Sequence, residues 1–75
     1  MAKCELYGTR QCPYTQDARD WLEWNYQDFI EYDVEADRAA LDRMLALTAG
    51  QRTIPVLVEE GKVTQVGWQG RGCVV

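Results

Sequence analysis

Histidine is absent from the chain. That removes the usual general base, the commonest metal ligand and any Cys–His nucleophile pair, so a reactive cysteine here must draw its activation from backbone, helix dipole or Arg/Lys. Cysteine is sparse and odd in number, three in all. A secreted mini-protein stapled by disulfides shows an even and denser set, so reactive or buried thiols in a reducing compartment fit better. Apolar runs stay far below the ~20 residues of a membrane span. The segment Met1-Ala2-Lys3-Cys4-Glu5 is mixed and polar, with no apolar stretch of secretory type. A soluble, cytoplasmic protein that engages no membrane is expected. Basic residues are also scarce, eight against twelve acidic for a net charge of −4. A negative surface repels the phosphate backbone, so nucleic acid is not an expected partner. With 75 residues there is room for one domain, residues 1–75, and a monomer is expected.

What is present alternates between strand and helix. Lys3–Tyr7 puts Cys4 and Leu6 on one face and ends at Gly8-Thr9, which reads as a strand. Pro13 suits the first turn of a helix, and Ala18, Trp21, Leu22 and Asn25 then recur at helical spacing. Cys12 falls at the N-terminal edge of that helix. Phe29–Val34 is aromatic and β-branched, a second strand. Asp37 is placed to cap a second helix with Leu41, Met44, Leu45 and Thr48 on one face and Gly50 past its end. Pro55–Val58 and Lys62–Val66, joined by Glu60-Gly61, read as a hairpin. The tail from Gly67 to Val75 carries three glycines, too many for a helix interior. The order β-α-β-α-β-β predicts an α/β fold, a mixed four-stranded sheet covered by two helices, with ligands bound where helices begin beyond the strand ends. Cys12 stands there.

A free thiol with a pKa near 8.5 is about 3% thiolate at neutral pH, and a helix N-terminus or nearby cation raises that fraction. The first-turn N–H groups and Arg10, two residues upstream, are the sources of positive potential at Cys12. Thr53-Ile54-Pro55 places a proline at the start of an apolar strand, at a spacing where its backbone can face Cys12.

Tyr7-Gly8-Thr9, Cys12-Pro13-Tyr14-Thr15, Asp33-Val34, Gly50-Gln51-Arg52-Thr53-Ile54-Pro55-Val56 and Gly61-Lys62-Val63 follow, in order, the pattern of the glutaredoxins. The chain is most similar in look to the Uxx-star glutaredoxin-like (seleno)protein group, in which the first motif position is cysteine or selenocysteine; the sequence leaves open which is natural at position 12. Gly67-Trp68-Gln69-Gly70-Arg71 also resembles the end of the short glutaredoxin-like electron donors of ribonucleotide reductase. The resemblance implies a thioredoxin fold with a truncated or missing C-terminal helix, Cys12 as nucleophile, Tyr14 lining the site, and Pro55 as a cis-proline whose preceding backbone at Ile54 pairs with a bound thiol peptide. Arg10, Pro13, Thr53, Gly67 and Trp68, which lie beside these in the chain, are further candidate binding residues. Three positions depart from the family pattern: Thr15 replaces the second motif cysteine, Thr9 replaces the basic residue before the motif, and Val66-Gly67-Trp68-Gln69 lacks the carboxylate that grips glutathione.

The function implied is thiol–disulfide exchange of monothiol glutaredoxin type. Cys12 attacks protein or small-molecule disulfides, or glutathione mixed disulfides, and glutathione or Cys73 supplies the second thiol. Glutathione is a candidate co-substrate, a thioredoxin-reductase-type enzyme is the alternative reductant, and no tightly bound cofactor or metal is expected. Two other classes compete: a glutathione-dependent iron–sulfur binding module and a non-catalytic thioredoxin-fold adaptor. Several residues carry two readings. Thr15 either hydrogen-bonds the Cys12 sulfur or satisfies first-turn backbone. Cys73 is either a resolving thiol on a swinging tail or a mobile terminal cysteine. Trp68 is either an exposed wall of the site or packed. Cys4, Trp21 and Trp24 are read as core, and the acidic residues Glu31, Glu35, Asp37, Asp42, Glu59 and Glu60 as solvated surface.

Overall fold

A computed structural model describes residues 4–25 and 27–75. The expected start of the first strand at Lys3 lies outside them. Two helices and six strands follow in the order β1 (Cys4–Gly8), α1 (Pro13–Trp24), β2 (Phe29–Asp33), α2 (Arg38–Leu47), β3 (Thr53–Ile54), β4 (Val56–Glu59), β5 (Lys62–Val66) and β6 (Cys73–Val74). Four strands form one mixed sheet, β2-β1-β4-β5. β1 runs parallel to β2, from Cys4 opposite Phe29 to Gly8 opposite Asp33, and antiparallel to β4. β4 and β5 form the expected antiparallel hairpin.

The side chains of the central strands alternate between two apolar layers, as a period of two requires. Cys4, Leu6 and Leu57 join Ala18 and Leu22 of α1, together with Trp68. Tyr7, Val56 and Val58 join Ala40 and Met44 of α2, together with Cys12, Val34 and Ile54. Local signals set the helix ends. Pro13 opens α1, contributing a fixed φ and no N–H where none has an intrahelical partner. Asp37 caps α2 by accepting from the Ala40 N–H at 3.2 Å. Thr48, buried one turn beyond Met44, closes α2 as its C-cap, and its hydroxyl donates to the Met44 carbonyl at 2.9 Å.

Two expectations are corrected. Trp21 and Trp24 are not core: they are 48% and 83% exposed. The buried face of α1 is Thr15, Ala18 and Leu22. At about 100° per residue Trp24 falls nearly opposite that face and Trp21 at its flank. Glu31 is not merely solvated: the Arg19 guanidinium binds both its carboxylate oxygens, tying α1 to β2. Two short strands join the four expected: the tail, read only as unsuited to a helix, pairs Trp68 with Arg71 across a turn and contributes β6, which pairs with β3 in a second small sheet.

Candidate functional site

The turn between β1 and α1 places Cys12 as the N-cap residue of α1, with extended backbone (φ −82°, ψ 117°). Its carbonyl accepts from the Gln16 N–H at 3.2 Å. Its side chain makes no capping hydrogen bond, so the sulfur is directed elsewhere. It is bonded to Cys73, as a disulfide with Cα atoms 6.1 Å apart that spans 61 residues of sequence. The tail therefore reaches Cys12 in this structure. Cys12 is 2% exposed in this state, and the positive end of α1 lies at its own residue.

The tail reaches that position through β6. Ile54 lies opposite Cys73, and Thr53 opposite Val74, in antiparallel register. The Ile54–Pro55 peptide bond is cis, and Pro55 and Ile54 are buried. Next to Pro55, the Gly67 N–H donates to the Pro55 carbonyl at 2.7 Å. A pocket of about 160 Å³ opens over the disulfide, lined by Thr9, Gln11, Cys12, Glu35, Ile54, Cys73, Val74 and Val75.

Sequence-expected residues divide accordingly. Cys12, Cys73 and Ile54 meet at the pocket, with Thr53 and Pro55 on the backbone beside it. Arg10 is exposed in the turn and is not part of the lining, and Pro13 serves the helix start. Tyr14 is half-buried and packs against both apolar layers instead of lining the pocket. Trp68 is not an exposed wall: it is 9% exposed and meets Trp21 edge-on with ring centroids 5.8 Å apart. Thr15 follows neither reading. Its hydroxyl is fully buried with no hydrogen-bond partner among the described residues, so it binds neither the Cys12 sulfur nor first-turn backbone. It is held there by close packing against Gly8, where any added Cβ would collide with the Thr15 side chain. The sequence reading missed Thr9, Gln11, Glu35, Val74 and Val75 as pocket residues. The run Cys73-Val74-Val75 is β-branched and was the available signal, but two-residue strands carry no periodicity to detect.

Away from the pocket, Cys4 is the remaining thiol, buried as expected. Burial pushes its pKa up, and the carboxylates of Glu59 and Glu5 push in the same direction. That environment makes it a packing residue and a poor nucleophile. Tyr7 stacks on Tyr32 with centroids 5.0 Å apart and its hydroxyl accepts from Arg43 Nε at 3.0 Å.

A mixed sheet of this order, with a cysteine heading its first helix beside a proline-led strand, defines a thioredoxin-fold protein. The family model "Glutaredoxin" matches residues 4–64. A probable glutaredoxin of Synechocystis sp., slr1562, is 39% identical over 54 residues, 72% of this chain and 50% of that protein, so the chain matches about half the length of this curated relative. The crystal structure of the thioredoxin-like protein BC3987, solved as a point variant, is similar with a TM-score of 0.79 at 32% identity, covering 92% of this chain and 86% of that one. Glutaredoxin grx-1 of Archaeoglobus fulgidus shares the fold, with a TM-score of 0.79 at 20% identity over 92% of this chain and 78% of its own. The chain belongs to the glutaredoxin family.

Proposed function

We propose that this chain is a thiol–disulfide oxidoreductase in which Cys12 attacks and Cys73 resolves. The observation that carries the reading is the disulfide between the N-cap cysteine of α1 and the strand lying on Ile54. Once reduced, Cys12 has its sulfur at the positive end of a twelve-residue helix, where an anion is favoured. Because position 15 is threonine, the first step is that of a monothiol glutaredoxin: one thiolate takes up one half of a substrate disulfide. Cys73 then stands in for the missing motif cysteine, and glutathione is the competing resolving thiol. Substrates are protein or small-molecule disulfides, and glutathione or a thioredoxin-reductase-type enzyme returns the electrons. The iron–sulfur alternative needs the reduced Cys12 sulfur as a ligand, and visible absorbance after anaerobic reconstitution would favour it over exchange.

The test is a trap. Reduced Cys73→Ser protein, mixed with oxidised glutathione, is expected to gain one glutathione on Cys12 by intact-mass and peptide analysis. The wild type is expected to pass through that adduct and end as the internal disulfide. An adaptor without chemistry gives no adduct on Cys12 faster than on buried Cys4, and that outcome would contradict the proposal.

A further inference from the structure

The family-like exchange just proposed explains why Cys73 can meet Cys12, but not why the tail arrives as a strand. β6 lies along Thr53–Ile54 in antiparallel register, with the Cys73 position directly opposite Ile54. The pairing continues beyond the strand: the Val75 N–H donates to the Arg52 carbonyl at 3.0 Å, and Arg52 Nη1 donates to the Val75 carbonyl at 3.2 Å. Gly72 passes so close to β3 that a Cβ there would collide with the Ile54 carbonyl oxygen and the Thr53 methyl. Of its apolar side chains, Cys73 and Val75 pack against the α2-side core while Val74 between them is 79% exposed. β6 is thus held by a few backbone contacts, the partial burial of two side chains and one covalent bond that reduction removes. Its backbone occupies an edge of β3 beside Cys12, the kind of edge to which an extended peptide can add as a strand.

We propose that residues 72–75 are a built-in substrate mimic. β6 must leave β3 for an extended peptide disulfide to enter, and its return both delivers Cys73 and evicts the reduced product. This rests on the exchange chemistry proposed above. The mimic also defines the substrate: an extended segment antiparallel to Thr53–Ile54 whose reactive cysteine follows glycine, because Gly72 marks a place with no room for a side chain.

The steps balance. With β6 displaced, the Cys12 thiolate attacks the peptide sulfur; the Cys12–peptide bond forms, the substrate S–S bond breaks, and the second substrate sulfur leaves as thiolate and takes a proton from solvent. Cys73, having given its proton to solvent, attacks the Cys12 sulfur as β6 re-pairs. The Cys12–Cys73 bond forms, and the peptide sulfur leaves and is protonated. The substrate gains two electrons and two protons, the cysteine pair loses them, and an external dithiol or two monothiols restore it.

The test uses the full-length Cys73→Ser protein, where β6 can compete for the edge but cannot resolve. The probe is a synthetic peptide copying residues 70–75, its cysteine activated as the nitrothiobenzoate mixed disulfide, and release of the coloured thiol reports attack by Cys12. The same activated disulfide of mercaptoethanol serves as a probe with no backbone. Adding Gly72→Val, or independently Val75→Pro, weakens β6 in two unrelated ways. Each is expected to speed attack on the peptide about tenfold relative to the mercaptoethanol probe measured on the same variant, the scale of one net hydrogen bond lost by the competitor. A peptide with valine in place of the glycine before its cysteine loses the advantage. Unchanged relative peptide rates in both variants, with the Cys12–peptide adduct still forming, overturn the mimic and leave the exchange chemistry standing. If no probe yields an adduct on Cys12, the exchange chemistry itself is wrong and the mimic goes with it.

Discussion

Reducing the protein should cost it a large part of its thermal stability. The Cys12–Cys73 bond closes a loop across 61 residues, nearly the whole chain. Removing that constraint from the unfolded ensemble corresponds to about 4 kcal/mol at 25 °C by loop-closure entropy, and measured disulfides commonly contribute ~2–4 kcal/mol. The lower half of that range is reached if β6 regains freedom once released, since the reduced native state then recovers some entropy of its own. For a domain of this size 1 kcal/mol moves Tm by about 4–8 °C, so reduction should lower Tm by roughly 10–30 °C. Far-UV circular dichroism melts of the oxidised protein, with and without a phosphine reductant, measure it. Cys73→Ser should melt like the reduced wild type and ignore the reductant. A reduced wild type melting within about 2 °C of the oxidised form would refute the reasoning, because a bond spanning this much chain cannot be thermodynamically silent in a folded protein.

Two further outcomes follow from the buried polar groups. Thr15→Val replaces a buried hydroxyl that lacks a partner by an isosteric methyl. It should raise the denaturant midpoint by about 1 kcal/mol equivalent, and a loss of stability would mean the hydroxyl has a partner after all. Cys4 and Tyr7 both have raised pKa values, each chiefly through burial, with Arg43 opposing the shift at Tyr7. A raised value means the folded state holds its proton more tightly. The associated stability is complete below the ordinary thiol and tyrosine values and is lost as pH climbs through the folded-state values. Urea midpoints of a Cys12→Ser/Cys73→Ser protein should therefore hold steady to about pH 9 and fall above it. Adding Cys4→Ala should delay the onset of that fall towards pH 10, the ordinary tyrosine range; an unchanged onset would clear Cys4 of a part in it.

Much of this architecture is legible where a short stretch of chain decides the outcome. Pro13 at the head of α1, Asp37 capping α2 and Glu60-Gly61 between β4 and β5 act within a few residues, and each element begins or turns where those residues place it. The site is legible in part for the same reason: Cys12 follows β1 and precedes a proline. What escapes a reading of the sequence depends on partners far along the chain. Trp21 and Trp24 share helical spacing with Ala18, but which side of α1 is buried is set by Leu6, Leu57 and Trp68 arriving from elsewhere. Trp68 sits among glycines that suggest exposure, yet it covers the α1 face of the sheet. β3 and β6 have two residues each, too few for a periodic signal, and their pairing is what turns Cys73 from a terminal residue into the partner of Cys12.

Differential alkylation of the fully reduced protein goes to the centre of the account. Iodoacetamide is competed between isotopic labels over a range of pH, and labelled peptides report Cys4, Cys12 and Cys73 separately. Cys12 is predicted to react fastest near neutrality, Cys73 at the rate of an ordinary thiol, and Cys4 scarcely at all until the fold opens. A Cys12 no more reactive than Cys73 at neutral pH would contradict the claim that the start of α1 prepares this sulfur for attack.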